Sequence, residues 1–330
     1  MIKALSVWLL VLISLLSCAQ EEAGLYTIAV FQINDAPTLN VVREAFIQAL
    51  GDNGLKNGKN ITLILKNAKG DIPEAQSIAQ DFVARRVDMI VAFSTPCFQA
   101  AMHAAKDIPV VFSSVANPYL AGAGSSPDSR VPNVAGVSSR GPIKETLAFI
   151  KEVLPGVRRI GTLWTPSELN SKYYLDLAVE NADRIGMEIV AVPIANSSEV
   201  LLSTQVLINE KVDAIYQISD NTINAAFEAV GKIAEENGIP LFGGQPYSTQ
   251  LGACAAMGWD FYDMGYQAGE IAVRIKNGED PSSIPFEYME EVQLHLNLEA
   301  AQKQGVVFPR DVLMRADEIL PKTKRISGSL

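Results

Sequence analysis

The feature that most restricts what this chain can fold into is a stretch that occurs twice. Val87-Asp88-Met89-Ile90-Val91-Ala92-Phe93-Ser94 runs into Thr95-Pro96 and then Ala100-Ala101. Val212-Asp213-Ala214-Ile215-Tyr216-Gln217-Ile218-Ser219 runs into Asp220-Asn221-Thr222 and then Ala225-Ala226. Val, Asp, Ile, Ser, Ala and Ala fall at the same offsets in both copies. Each copy reads as a short apolar strand, a polar corner and the first turn of a helix. Such a corner sets backbone N–H groups and small hydroxyls at the carboxyl end of a parallel strand, where α/β proteins hold ligands. Two matching corners predict two domains facing one ligand.

The surrounding sequence repeats in the same order. Tyr26 to Phe31 reads as a parallel strand buried on both faces, with Gln32 to Pro37 as its corner and a helix over Val41 to Leu50. Arg159 to Trp164 opens the second half in the same way, with Thr165 to Ser171 as its corner and a helix from about Lys172 to near Gly186. Ile108-Pro109-Val110-Val111 before Ser113-Ser114 is matched by Ile239-Pro240-Leu241-Phe242 before Gly243-Gly244-Gln245. Residues 26–115 thus find counterparts in 159–245, which is a duplicated βα module and not a short-period solenoid. The predicted class is α/β, with two Rossmann-like lobes built on parallel sheets.

The joints between lobes are also readable. Ser138 to Pro142 looks like a linker, and Gly258 marks a turn. After a helix over Phe261 to Lys276, an extended run from Phe286 to Leu296 and a short helix over Leu298 to Gln304 take the chain back once more. Three crossings make a natural hinge. The expected division is residues 25–138 plus 259–284 for lobe 1, and 139–258 plus 285–330 for lobe 2.

At the amino end, Lys3 followed by the apolar run Ala4 to Leu16 reads as an export signal over residues 1–17. Leu15-Leu16-Ser17-Cys18 resembles a bacterial lipobox, which predicts lipid on Cys18 and a spacer over 18–24; an ordinary signal peptide with an incidental cysteine is the alternative. A charged fraction of 19% with 48% apolar residues is globular, and a net charge of −10 leaves no electrostatic footprint for nucleic acid. Three cysteines and two histidines, none close to another, predict no metal site, no disulfide scaffold and no cofactor.

Enzyme motifs are missing: there is no G-x-S-x-G elbow, no phosphate-binding loop ending in Gly-Lys-Ser/Thr and no G-x-G-x-x-G fingerprint. Cys97 and Cys254, among small residues, read as buried small hydrophobes. What is abundant is short hydrogen-bonding side chains at strand ends. Asn34, Ser94, Thr95, Ser113 and Ser114 are the candidate ligand contacts in the first lobe. Asn170, Ser171, Asp220, Asn221, Thr222 and Gln245 are those in the second. Any one such corner is more often a helix N-cap than a ligand contact, and nearby aromatics (Phe31, Phe93, Trp164, Tyr173, Trp259) are more often core than stacking surfaces. Asp220 is the sharpest case, because a carboxylate in a closing cleft is costly unless a cation meets it. The ligand's own ammonium is the simplest cation. The Ser94-Thr95 corner at a helix start suits a carboxylate. Together they predict a zwitterion such as an α-amino acid.

Ser94-Thr95-Pro96, Asn133 to Ser138, Val212 to Tyr216, Ser219 to Thr222, Gly265 to Gly269 and Asn277 to Pro281 also resemble the motifs of a known family. It comprises the solute-binding lipoproteins of ABC importers, whose members include tryptophan- and tyrosine-binding proteins. The likeness runs from about Tyr26 to Leu320. It implies a type I periplasmic-binding fold, a monomer that closes on a small solute and presents it to a membrane permease coupled to a cytoplasmic ATPase. Relatives often carry His before the proline of the first corner, where this chain has Ala36, and that departure bears on which solute is preferred. A sensory protein presenting the solute to a membrane receptor is the alternative use of the same fold.

Overall fold

The computed structural model describes residues 24–321. The expected export segment and Cys18 lie outside the described residues. The first lobe begins with β1 (Tyr26–Gln32), α1 (Pro37–Asp52), β2 (Ile61–Asn67), α2 (Ile72–Ala84), β3 (Met89–Phe93), α3 (Thr95–Ala104), β4 (Val110–Val115) and β5 (Val134–Ser138). The chain then crosses and builds α4 (Ile143–Val153), β6 (Arg159–Trp164), α5 (Leu169–Arg184), β7 (Glu188–Pro193), α6 (Val200–Asn209), β8 (Ala214–Gln217), α7 (Asn221–Asn224), α8 (Phe227–Asn237), β9 (Leu241–Gly243) and β10 (Ala255–Gly258). It returns for α9 (Phe261–Lys276) and β11 (Glu287–Tyr288). It ends on the second lobe with β12 (Gln293–Asn297), α10 (Leu298–Lys303), α11 (Arg310–Met314) and β13 (Glu318–Leu320). Among the described residues no helix is long and apolar enough to cross a membrane.

Both sheets have the doubly wound order that the duplication requires. The first runs β2-β1-β3-β4-β5-β11, and the second β7-β6-β8-β9-β10-β12-β13. Central strands such as β3 are buried at every position, as strands covered by helices on both faces must be. The repeated aspartates serve the end of the sheet remote from the corners. Asp88 Oδ2 accepts from the Thr27 amide at 2.7 Å, and Asp213 Oδ2 accepts from the Arg158 and Arg159 amides at 2.8 Å. Each caps the start of the neighbouring strand, so this part of the repeat encodes sheet assembly.

The three crossings fall between β5 and α4, between β10 and α9, and between β11 and β12. The third differs from the expected division. Phe286 is buried in the first lobe's core, and β11 pairs with β5 in parallel through Glu287–Val137 and Tyr288–Ser138. Residues 285–288 therefore belong to lobe 1, and the crossing lies at 289–292. Topology explains the antiparallel β10–β12 pairing as well. Because β11 ends at the cleft, a short crossing enters the second sheet from its cleft end, and β12 must run against β10.

The two copies of the opening stretch diverge after their strands. In the first, α3 continues unbroken from Thr95 to Ala104. In the second, α7 stops at Asn224 and α8 begins at Phe227, with Ala225 and Ala226 at the break. The helix after β6 begins at Leu169, so Asn170 and Ser171 lie in its first turn and not in the preceding loop.

Candidate ligand-binding site

The first lobe's corner is strained. Ser94 has φ 95° and ψ 156°, a region that essentially only glycine occupies without penalty. It is fully buried, and two bonds to the end of β4 clamp the corner: the Ser94 amide donates to the Ser113 carbonyl at 3.1 Å, and Thr95 Oγ1 accepts from the Ala116 amide at 3.3 Å. Ser94 nonetheless does not cap α3 with its side chain, and its Oγ makes no hydrogen bond of good geometry. The neighbouring Cys97 is a free thiol pushed up to about 12 by burial, against a weak downward pull from the Ser94 side chain beside it. Strain and an orphaned buried hydroxyl on one residue mark a position kept for something other than stability.

The second lobe's corner is organised by a residue that the sequence did not single out. Glu168 is buried, and its carboxylate accepts from five groups. Oε1 takes the Thr222 amide (2.9 Å) and hydroxyl (2.6 Å), while Oε2 takes the Asn221 amide (3.1 Å), Asn221 Nδ2 (2.6 Å) and Asn170 Nδ2 (2.9 Å). It thereby caps α7 from outside and ties the β6 corner to the β8 corner. Asn221 and Thr222 are committed to this carboxylate. The available signal was a lone acid within the Thr165 to Ser171 corner.

Asp220 departs from the expected role. Its side chain is fully buried, and both oxygens face protein donors: Oδ1 accepts from the Ile223 amide (2.9 Å) and Thr165 Oγ1 (3.1 Å), and Oδ2 from the Thr165 amide (2.9 Å). Ser171 Oγ accepts from that same Thr165 amide. Asp220 is an N-cap that staples two corners, and the ligand's ammonium is not needed to satisfy its hydrogen bonds.

Burial, and then the charge of Glu168, raise the Asp220 carboxyl from its ordinary 3.8 to about 7, against hydrogen bonds from Ser171, Ile223 and Thr165 that pull downward. The folded protein keeps this proton over a range in which the unfolded chain has released it. Stability from this group therefore falls as pH rises from about 4 to about 7 and levels off above. Melting midpoints across that window should show the decline, and Asp220→Asn should flatten it.

The remaining expected contacts separate into groups. Asn34 spans the lobes: its Nδ2 donates to the Asn221 carbonyl at 2.9 Å while Oδ1 accepts from the Ala36 amide. Gln32, held by Arg43, supports it by donating to the Asn34 carbonyl. Gln245 is buried and donates to Ser219 Oγ at 3.0 Å. Ser113 turns away, donating to the Met264 carbonyl of α9, and Ser114, at φ 59°, lies against the Met264 sulfur. These two serines attach the returning helix to its lobe. Of the aromatics, Phe31 and Phe93 are core, and Trp259 donates to the Arg140 carbonyl, bonding the first two crossings together.

Across the cleft, α3 and α5 approach each other, and Leu169 packs on the first lobe's core. The next residue, Asn170, has the second orphan: its Oδ1 is buried without a partner. Orphaned polar atoms thus occur on Ser94 in one lobe and on Asn170 in the other, at the starts of two helices that meet across the cleft. Tyr174, Tyr216, Trp259 and Phe261 wall a small recess at the hinge that also includes Ser219, the residue before Asp220. Tyr216 OH is also buried without a hydrogen bond of good geometry, but the Thr146 side chain lies within its reach.

The model of the family described as ABC transporter substrate binding protein matches residues 27–320. The chain belongs to this family. A tyrosine-binding protein of Clostridioides difficile (strain R20291) is 35% identical over 294 residues, covering 88% of this chain and 85% of the relative. A conserved domain protein of Vibrio cholerae, 32% identical, superimposes with a TM-score of 0.86 over 90% of this chain and all of the other. An ABC domain from Streptococcus pneumonia in complex with L-Trp gives 0.85 at 26% identity with the same coverage. A ligand-free, open substrate-binding protein from Clostridium difficile gives only 0.66, although it is 33% identical and covers 89% of this chain and 99% of the other. The likeness is closer to the liganded structure than to the open one despite the lower identity. The Asn34–Asn221 hydrogen bond likewise joins the lobes across the cleft, and the protein has the two-lobed α/β fold of type I periplasmic-binding proteins.

Proposed function

We propose that this protein is the solute-binding component of an ABC importer and that its solute is an α-amino acid with an aromatic side chain. The observation that bears most weight is the pair of buried orphans, Ser94 Oγ and Asn170 Oδ1, on helices that meet across the cleft. One ligand between them would satisfy both. The start of α3 adds amide donors and the positive end of a ten-residue helix to the Ser94 hydroxyl, a setting for the ligand's carboxylate. Asn170 Oδ1 is an acceptor and suits a donor such as an ammonium. Tyr174, Tyr216, Trp259 and Phe261 give the hinge side of the cleft an aromatic lining of the kind that stacks on flat groups. The binding of tyrosine by one relative and of L-Trp by another supports the same class.

In this reading the protein is exported, held at the cell envelope by lipid on Cys18, and works as a monomer that hands its solute to a permease driven by a cytoplasmic ATPase. The test is a melting screen of the protein against amino acids, nucleosides and sugars. A ligand at about 1,000 times its Kd adds about 4 kcal/mol of apparent stability. L-tyrosine or L-tryptophan should raise the midpoint of the parent and do so far less for Ser94→Ala. A midpoint that moves with a sugar or nucleoside and with no amino acid would sink the reading.

A further inference from the structure

We infer that Asn170 is the residue that receives the solute's ammonium group, and that Glu168 gives it this selectivity by fixing which way the Asn170 amide points. The inference rests on the amino-acid reading above and adds residue roles to it. An asparagine amide offers donors on one side and an acceptor on the other, and its hydrogen-bond network decides which atom faces which way. An ionised carboxylate is acceptor-only. Glu168 Oε2 lies 2.9 Å from the Asn170 amide, so the nitrogen must face it. The oxygen is then turned outward, and it is this oxygen that is buried without a partner.

Glu168 cannot adapt to the opposite orientation. Its oxygens are already met by the amides of Asn221 and Thr222, which are donors only, and by Asn221 Nδ2 and the Thr222 hydroxyl. The same carboxylate therefore shapes the β8 corner and presents an acceptor at α5. A ligand amine finds a partner at this point; a ligand carboxylate or a bare methylene does not. Asp220, one residue before Asn221, has its oxygens filled by Thr165 and Ile223.

The experiment compares affinities for L-tyrosine and L-tryptophan with those for their desamino analogues, in which the amine alone is missing. Titration calorimetry is run on the parent, Asn170→Ala, Glu168→Ala and Asp220→Asn proteins. The parent should prefer the amine by about 10- to 100-fold, the range of a hydrogen bond to a charged group. Asn170→Ala should bring that ratio close to one while retaining affinity for the desamino compound, and Glu168→Ala should reduce it by freeing the amide to turn. Asp220→Asn should leave the ratio in place. A residue with a merely structural role would weaken both ligands alike and leave the ratio unmoved. If Glu168→Ala does not fold, Asn170→Ala alone decides the question. A parent that binds amino acids with a ratio unchanged in Asn170→Ala overturns this inference and leaves the function standing. So does a ratio lost in Asp220→Asn and kept in Asn170→Ala. A parent that binds no amino acid overturns both.

Discussion

Replacing Gly265 by valine is expected to cost the protein about 3 kcal/mol or more of stability and to free α9 from the first lobe. A Cβ at Gly265 would lie 2.2 Å from the Val42 carbonyl oxygen and 2.8 Å from Val42 Cα. These are backbone atoms of α1, so no rotamer change relieves the clash, and the two helices must separate. Gly269, one turn on, makes the same demand: a Cβ there would approach Ala49 and the Phe46 carbonyl at 2.5 and 2.8 Å. The helices touch backbone to backbone, a distance that only residues without side chains permit. Separation would also pull Met264 away from Ser113 and expose Ala268, Ile271 and Ala272, all buried in the first core. Denaturant melts of Gly265→Val should show a lower midpoint. Gly265→Ala should fall in between, and an unchanged midpoint in both would mean that the contact is not as close as described.

That contact shows where sequence reasoning stopped. Gly265 and Gly269 could be picked out as a motif, but nothing in a run of glycines says which helix will lie against it. The partner, α1, is more than two hundred positions earlier in the chain. Elements whose instructions are local were legible: the strand and corner at Val87 to Thr95, its copy at Val212 to Thr222, and the helix over Phe261 to Lys276, found with the expected bounds. The third crossing was misplaced because Glu287 and Tyr288 make a strand of two residues, too short for any period, and only pairing with β5 defines it.

At the site, residue types and their corners were visible, while their hydrogen-bond partners were not. Asp220 and Glu168 are both acids in polar corners. Asp220, at the end of the repeat, looked like the one awaiting a cation; the fold supplies it with backbone and hydroxyl donors. Glu168 was an unremarked member of the Thr165 to Ser171 corner; the fold makes it the centre of the second corner. The distinction lies in which amides converge on each carboxylate, and those amides come from segments about fifty residues away.

Ser94→Gly is expected to raise stability by about 1 kcal/mol while weakening solute binding by about 10-fold or more. Holding a non-glycine residue at φ 95°, ψ 156° costs of order 1–3 kcal/mol. Glycine removes that strain but gives back roughly 0.4–1 kcal/mol through the greater freedom of the unfolded chain. Ser94→Ala separates the two contributions, because alanine keeps the backbone strain and loses only the hydroxyl. Both variants should bind the solute more weakly, and only the glycine variant should gain the strain energy. The geometry gives a reason for a serine that is poor for folding. Its amide is fixed to the Ser113 carbonyl at the end of β4, so the corner cannot relax, and its buried hydroxyl has only the Cys97 thiol beside it and no hydrogen bond of good geometry. Such a residue persists where a ligand completes it. If the glycine variant is no more stable than the alanine variant, the strain is not stored at Ser94. If both bind the solute as the parent does, the hydroxyl is not part of the site.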